Sequence, residues 1–389
     1  MGLRCAILPP TPVPYREPLF RALSERPELD ICVIYQSAGQ PSWDVSPDWF
    51  PTEHPYPAVH LRSRQRRRAG RTPVLWSRGL ERALRAADPD CVVVSEYGPA
   101  SLRTLAWCRR HAKAYVIFTE CTPQIDSMLP RWQLALHRRL ARHADGVIGA
   151  SSGARERLRA FGVPDDRITV ALQAADVEPF RAAGRHHKDG PVRIISAGRL
   201  VPDKNFATLI EAFARMASRP PDTELEIVGT GFLEDELRGL AAARGVPVRF
   251  RGHVPPSEMP DVYASADMYA LVSTYEPFGV AIREAAAAGL PIVCSRTAGA
   301  AGDVAVEGRN AILVDPGDLA AVTDALGGLV SDPELRRRMA EESRAIDRET
   351  DGVEVGAFVR AVTAAARRYS PSRAGSTSAR IRATDASGR

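Results

Sequence analysis

The stretch EPFGVAIREAAAAGLPIVCS, Glu276 to Ser295, decides the fold of this chain. The run DMYALVS leads into it as a β-branched, apolar strand, TYEPFG follows as a loop, VAIREAAAAG reads as a helix and PIVCS as the next strand. Strand, loop, helix and strand in that order build a parallel sheet. Glu276 then lies on the loop at the strand's carboxyl end, and Pro277 suits the first turn of a helix, where its missing N–H costs no bond. The N–H groups of Phe278, Gly279 and Val280 are expected to point into a cleft, a site for hydroxyl or phosphate oxygens. Glu284, four residues beyond Val280, projects from the same helix face. One carboxylate can meet a sugar and the other a ribose, each accepting hydroxyl hydrogens. The local alternative has Glu276 capping the helix and Glu284 pairing with an arginine.

Outward from there the same alternation fills the chain. Strands are expected at RCAIL, DICVIY, DCVVVS, AYVIFT, DGVIGAS and ITVAL, then at VRIISAG, ELEIVG, VRF, DMYALV, PIVCS and AILV. Between these halves Glu178 to Pro191, EPFRAAGRHHKDGP, is polar and without apolar periodicity, and reads as a linker. The chain is 389 residues long, enough for two domains. We expect an α/β protein of two Rossmann-like halves facing across a cleft. Residues 1–180 form the first, 181–190 the linker and 191–369 the second. The Ser-, Arg- and Gly-rich residues 370–389 are expected to be a disordered tail. Ligands in such folds bind outside the carboxyl ends of the strands.

The second half carries the sharper chemistry. In SAGRLVPDKNFATLIEAFARM, Phe206, Leu209, Ile210 and Phe213 mark one buried helix face. Arg199 and Lys204 hang in the loop before it, where two cations make a clamp for a diphosphate, or else incidental charges on a solvated loop. Gly229 and Gly231 close a further strand and permit a tight turn or close backbone approach. His253 and Val254 follow another strand on a loop whose backbone could read a nucleobase edge, although a plain turn fits as well.

Composition bounds the partners. Charged residues are 25% and apolar ones 44%, with a formal charge of +5, which permits an anionic partner without demanding one. The six cysteines form no Cys-x-x-Cys pair and have no His at metal-ligand spacing, and four of them (Cys5, Cys32, Cys91 and Cys294) sit in apolar runs, so a reducing, cytoplasmic setting is expected. The start MGLRCAILPP has too short an apolar run for a signal peptide, and no stretch approaches the ~20 apolar residues of a membrane span. A soluble or at most peripheral protein follows. The triplet Asp88 to Asp90 precedes a strand rather than ending one, so it reads as a turn and not as a metal site. The run LRSRQRRRAGR, with Arg62, Arg64, Arg66, Arg67, Arg68 and Arg71, reads as a solvated, mobile loop or as a peripheral contact with anionic membrane. It holds no aromatic residue on which nucleic-acid bases could stack, and a nucleic-acid partner is not expected.

Taken together, GRLVPDKN, GTGFLEDEL, EPFGVAIREAAAAGLPIV and AILVDPGD, from about Val192 to Asp318, resemble the retaining GT-B glycosyltransferases that carry the Glu-x7-Glu motif, the family-4-like and group 1 enzymes. DPDCVVVSE, HADGVIGASSGARERLRAFGVPDDRITV and AADVEPF resemble it more loosely. The resemblance implies a transfer from a nucleoside-diphosphate sugar, UDP- or GDP-linked, to a hydroxyl acceptor, with retention at the anomeric carbon. Arg199 and Lys204 would hold the donor diphosphate, Glu284 the ribose and Glu276 a donor-sugar hydroxyl. Phe278, Gly279 and Val280 would give backbone contacts, and His253 and Val254 would lie beside the base. The acceptor proton would pass to the leaving phosphate, so neither a protein nucleophile nor a metal or other cofactor is expected. The sequence departs from the family in its first loop, LPPTPVPYREPLF, whose prolines replace the usual glycine pair and leave Tyr15 and Arg16 to act by their side chains. Glu120 stands where many relatives have a histidine. Glu120 and Glu96, at strand ends, either bind the acceptor or hold local backbone. A nucleotide-sugar epimerase and a noncatalytic nucleotide-sugar-binding protein are the alternatives of the same fold.

Overall fold

A computed structural model describes residues 2–39, 50–68, 71–183, 191–216, 220 and 223–369, with backbone alone for 65–68 and 71–74. Fifteen strands occur among the described residues. They are β1 (Leu3–Leu8), β2 (Leu29–Tyr35), β3 (Ala58–His60), β4 (Arg62–Arg68), β5 (Arg71–Arg78), β6 (Cys91–Ser95), β7 (Ala114–Thr119), β8 (Gly146–Gly149), β9 (Ile168–Val170), β10 (Arg193–Ala197), β11 (Glu224–Val228), β12 (Val248–Gly252), β13 (Met268–Leu271), β14 (Ile292–Ser295) and β15 (Ala311–Val314). The helices are α1 (Glu17–Ser24), α2 (Leu80–Ala87), α3 (Pro99–His111), α4 (Arg131–His143), α5 (Ser152–Ala160), α6 (Glu178–Ala183), α7 (Phe206–Arg215), α8 (Glu234–Arg244), α9 (Met259–Ala264), α10 (Val280–Ala287), α11 (Leu319–Ser331), α12 (Pro333–Thr350) and α13 (Val353–Arg368).

The chain divides into two units. Unit 1 comprises Met1–Leu172 with Gly352–Arg389, and unit 2 comprises Gln173–Asp351. In unit 1 the strands run β3-β2-β1-β6-β7-β8-β9, all parallel. In unit 2 the order is β12-β11-β10-β13-β14-β15, again all parallel. Strand order reverses between β1 and β6 in one unit and between β10 and β13 in the other, and at such a switch point the loops diverge to leave room for a ligand. Each sheet is covered by helices. In unit 2 the face of α7 expected from spacing is buried at Phe206, Leu209, Ile210 and Phe213, against Leu225, Ile227 and Met268. In unit 1 Val92, Val94, Tyr115 and Ile117 of β6 and β7 join Trp107, Leu140 and Leu158 from α3, α4 and α5.

Two expectations are revised. The last helix does not close the second half. α13 packs on β7, β8 and β9 of unit 1, so closely that a Cβ on Gly146 would lie 3.3 Å from Ala365 Cβ. The periodicity that marks a helix face says nothing about which sheet buries it. Likewise α6, within the expected first half and linker, belongs to unit 2, where Arg181 bonds Asp347 at 2.6 Å and Asp351 at 2.9 Å. The remainder of the expected linker, 184–190, and the expected tail, 370–389, lie outside the described residues. The second revision concerns the arginine run. β4 and β5 form an antiparallel ribbon in place of a loop, pairing Arg62 with Arg78 and Arg64 with Trp76. The β4 sequence RSRQRRR holds no apolar residue, so it lacks the alternation by which a strand is recognised. The Asp88 to Asp90 triplet is the expected turn. Both carboxylates bond the Arg4 guanidinium, at 2.6 and 3.0 Å, and Asp90 N–H donates to Arg4 O at 2.8 Å, joining the loop to β1. All six cysteines are free thiols.

Candidate active site

In unit 2 the loops after β10, β11 and β12 are laced by backbone alone. Gly198 N–H donates to Val228 O at 2.9 Å, Leu200 N–H to Thr230 O at 2.8 Å and Gly229 N–H to Gly252 O at 2.8 Å. The approach is close enough to require glycine. At Gly229, with φ +127°, a Cβ would sit 2.1 Å from Gly198 O, and at Gly231 it would sit 2.4 Å from Leu200 O. The lone Gly-x-Gly is therefore accounted for by backbone packing.

The β10 loop then makes a short turn at Pro202–Lys204, and Asn205 enters α7 with φ +54°. Asn tolerates that left-handed conformation, and its side chain secures it: Asn205 Nδ2 donates to Val272 O and Pro316 O, both at 3.1 Å, while Oδ1 accepts from Thr208 Oγ1 at 2.8 Å. Asn205 thus pins Lys204 against the loop after β13. Lys204 Nζ forms an ion pair with Glu276 Oε2. Glu276 is buried, and its carbonyl accepts from Gly299 N–H at 3.0 Å. Gly299 is needed there because a Cβ would lie 2.0 Å from Pro277 O. Arg199 is exposed five residues before Lys204, at the other end of the same loop.

The helix of the Glu-x7-Glu stretch starts at Val280, where the run VAIREAAAAG placed it, but Pro277 is not in its first turn. Gly279, at φ +96°, is the N-cap of α10, so Pro277 lies ahead of the first turn. No side chain caps this start, and no acidic residue lies in the first turn, so Glu276 is not the cap. The N–H groups of a helix's first turn lack intrahelical acceptors. Phe278 and Gly279 are buried and Val280 is half-buried at this start. Glu284, one turn on, has tyrosine rather than arginine as its partner: Tyr263 Oη donates to Glu284 Oε2 at 3.0 Å. Surrounding protein outweighs that bond, and burial pushes the Glu284 carboxyl up to about 7. Tyr263 stacks on Tyr269, with centroids 5.7 Å apart, and Phe180 meets Tyr263 edge-on at 5.2 Å. His253 is exposed and Val254 half-buried just past β12, as a loop beside a ligand requires and as any turn would also give.

Tyr263 and Asn205 were missed by the sequence reading. Asn205 left a signal, since an asparagine directly ahead of an apolar helix face marks a helix start, and asparagine tolerates the left-handed conformation found there. Tyr263 left none, being 21 residues from its partner on another helix.

Unit 1 brings together Arg16, Glu96 and Glu120. Arg16 is buried and forms an ion pair with Glu120, and its guanidinium lies 5.7 Å from the Phe118 ring centroid and 5.9 Å from that of Tyr15. Arg16 therefore does not extend freely from its loop. Glu96, in the left-handed region at φ +63°, accepts from Glu120 N–H at 2.6 Å, Thr119 Oγ1 at 2.9 Å and Cys121 Sγ at 3.1 Å. Burial, followed by the charge of Glu120, raises its carboxyl above the usual range. Of the two readings held open for Glu96, the holding of local backbone is the one its bonds describe.

No group of three or more His, Cys, Asp or Glu able to hold a metal ion occurs among the described residues. None of their helices is long and apolar enough to cross a membrane.

Residues 12–172 match the family model of the glycosyl transferase 4-like domain, and residues 179–346 that of the glycosyl transferases group 1. A glycogen synthase of Mycobacterium tuberculosis is 31% identical over 223 residues, 57% of this chain and 54% of that one. A GDP-mannose-dependent alpha-(1-6)-phosphatidylinositol monomannoside mannosyltransferase of Mycolicibacterium smegmatis is 33% identical over 236 residues, 56% of this chain and 61% of that one. The chain thus spans little more than half the length of these relatives. The crystal structure of Anabaena HepE in complex with UDP and glucose superposes with a TM-score of 0.72 at 18% identity, covering 93% of this chain and 98% of that one. Two Rossmann-like units, each matched by a glycosyltransferase model, place this chain in the GT-B glycosyltransferases.

Proposed function

We propose that this protein transfers a sugar, with retention of anomeric configuration, from a UDP- or GDP-sugar held by unit 2 to a hydroxyl acceptor presented by unit 1. The observation that carries the reading is the Lys204–Glu276 pair beside the uncapped start of α10. A cation and a row of backbone donors there suit a departing diphosphate, whose growing charge they stabilise more than they stabilise the bound donor. Arg199 supplies a second, forked set of donors from the opposite end of the loop. Glu276 holds Lys204 in place and accepts a hydroxyl of the donor sugar, while Glu284 accepts the ribose hydroxyls. His253 and Val254 flank the base. The acceptor proton passes to the leaving phosphate, so the reaction proceeds without a divalent metal or a protein nucleophile. The named relatives support both donor bases, one being GDP-mannose-dependent and another structure containing UDP. A cytoplasmic setting agrees with six free thiols.

The test is incubation with a panel of nucleoside-diphosphate sugars and hydroxyl acceptors in the presence of a chelator, reading release of the nucleoside diphosphate and the anomeric coupling of the product. Acceptor-dependent release with retained configuration is expected. Inversion, or an absolute need for metal, contradicts the mechanism, and conversion of the donor sugar without acceptor marks an epimerase instead.

A further inference from the structure

Among the described residues of unit 1, most of the large apolar side chains left exposed gather at one edge, and Val353 at the start of α13 stands apart from them. Val59 lies on β3, Trp76 on β5 and Leu102 in the start of α3, with Met128 and Trp132 between β7 and the first turn of α4. In a parallel sheet every strand ends at one edge and every following helix begins there. The ribbon β4–β5 starts two residues beyond the end of β3, α3 follows β6, and the segment from Met128 to Trp132 follows β7. Trp76, Leu102, Met128 and Trp132 therefore belong to the carboxyl edge of the sheet, at 55%, 44%, 56% and 66% exposure. Isolated exposed apolar residues need no explanation, but several along one edge mark an interaction surface.

The charge around them has one sign. From Arg62 to Arg78 there are seven arginines and no acidic residue, and from Met128 to His143 four arginines and again no acidic residue. The ribbon register sets Arg62 opposite Arg78 and Arg64 opposite Trp76, and all four side chains are exposed. The other ribbon face carries the buried Ser77, whose carbonyl accepts from Arg103 Nη1 of α3 at 2.6 Å. Acidic side chains near this edge are already engaged: Glu81 with Arg103 at 2.7 Å, Asp126 with Arg157 at 2.7 Å, Glu120 with Arg16, and Glu96 with local donors.

We propose that the carboxyl edge of unit 1 docks on an anionic phospholipid surface. Trp76, Leu102, Met128 and Trp132 enter the headgroup boundary, and Arg62, Arg64, Arg78 and Arg131 meet the phosphates. Two tryptophans flanked by arginines suit that boundary, where an apolar ring and a charged head each find their medium. A single-stranded nucleic acid fits less well. Arg103 already lies over the Trp76 ring, with its guanidinium 5.5 Å from the centroid, and so covers one face on which a base would stack. Only the consequence rests on the proposed function: if unit 1 presents the acceptor, that acceptor is a lipid-borne hydroxyl at the bilayer surface.

The experiment is co-sedimentation of the full chain with vesicles of phosphatidylcholine alone and of phosphatidylcholine mixed with phosphatidylglycerol, alongside tryptophan fluorescence. Binding to the mixed vesicles is expected, weakening with salt and accompanied by a blue shift. Met128→Ser with Trp132→Ser lowers the affinity at least tenfold, by loss of buried apolar area. Arg62→Ser and Arg64→Ser lower it about fivefold each, as expected for one charge near an anionic surface. Equal binding to both vesicle types, undiminished binding of these variants, or preference for single-stranded RNA overturns the proposal. Stabilisation by nucleoside diphosphates, measured on the same preparations, persists in all variants. Its absence from the wild type counts against the donor reading and leaves the docking result standing.

Discussion

Both units are parallel sheets whose strand order reverses once, yet they furnish their carboxyl edges by different means. Unit 2 uses backbone: Gly198, Gly229, Gly231 and Gly299 let chains pass where a single Cβ would come within 2.0 to 2.4 Å of a carbonyl at three of them, and the start of α10 is left uncapped. Unit 1 uses side chains: prolines fill the first loop, Arg16 and Glu120 form a shielded pair, and Glu96 holds the next loop by its carboxylate. A backbone-built edge suits a constant ligand such as a diphosphate, whose oxygens any N–H can meet. A side-chain-built edge can be recast for one acceptor without disturbing the sheet.

That contrast predicts separable damage. Lys204→Ala should lower transfer by about 10²–10³-fold, as loss of one preorganised charge partner does, while circular dichroism remains native. Retained turnover would break the assignment of unit 2 as the seat of charge stabilisation. Glu120→Ala leaves Arg16 buried without its carboxylate and should cost about 3–5 kcal/mol in denaturant unfolding of unit 1. Nucleoside-diphosphate affinity should be unchanged in that variant, and a parallel loss of affinity would erase the distinction between the edges. Gly299→Ala forces a methyl onto Pro277 O and should cost about 1–3 kcal/mol, with weaker donor binding, both measurable by thermal shift with and without nucleotide.

Glu284 gives a subtler probe. Its carboxyl, pushed from 4.5 to about 7 by burial, binds a proton in the folded state through a pH range where the unfolded chain has already released it. The stabilisation linked to that proton is complete below about 4.5 and is lost as pH rises through 7. Glu284→Gln should therefore gain on the wild type as pH rises over this range, by at most ~3 kcal/mol, and a pH-independent difference would contradict the burial account. On the ribose contact proposed for Glu284, wild-type affinity for nucleoside diphosphates should meanwhile fall as pH drops below 7, because protonation removes an acceptor.

The comparison also explains what could be read without coordinates. All twelve strands of the two large sheets apart from β3 were legible, because each is a short β-branched run bounded by turn residues. The loops that carry Arg199, Lys204 and Glu276 and the helix that carries Glu284 were legible as strand, loop and helix patterns. The ribbon β4–β5 was not, since arginines at alternate positions carry no apolar period. The docking of α13 on unit 1 was not, since an amphipathic face does not name its partner. The pairing of Glu284 with Tyr263, and of Arg16 with Glu120, joins residues 21 and 104 positions apart, and such side-chain contacts leave no local pattern.

The most direct test of the central claim is calorimetric titration of UDP and GDP into the full chain in chelator-containing buffer, repeated with Lys204→Ala. One nucleotide should bind at a single site and lose about 10²-fold or more of its affinity in the variant. Binding of neither nucleotide, or equal binding with Lys204 removed, would contradict the assignment of unit 2 as the donor site.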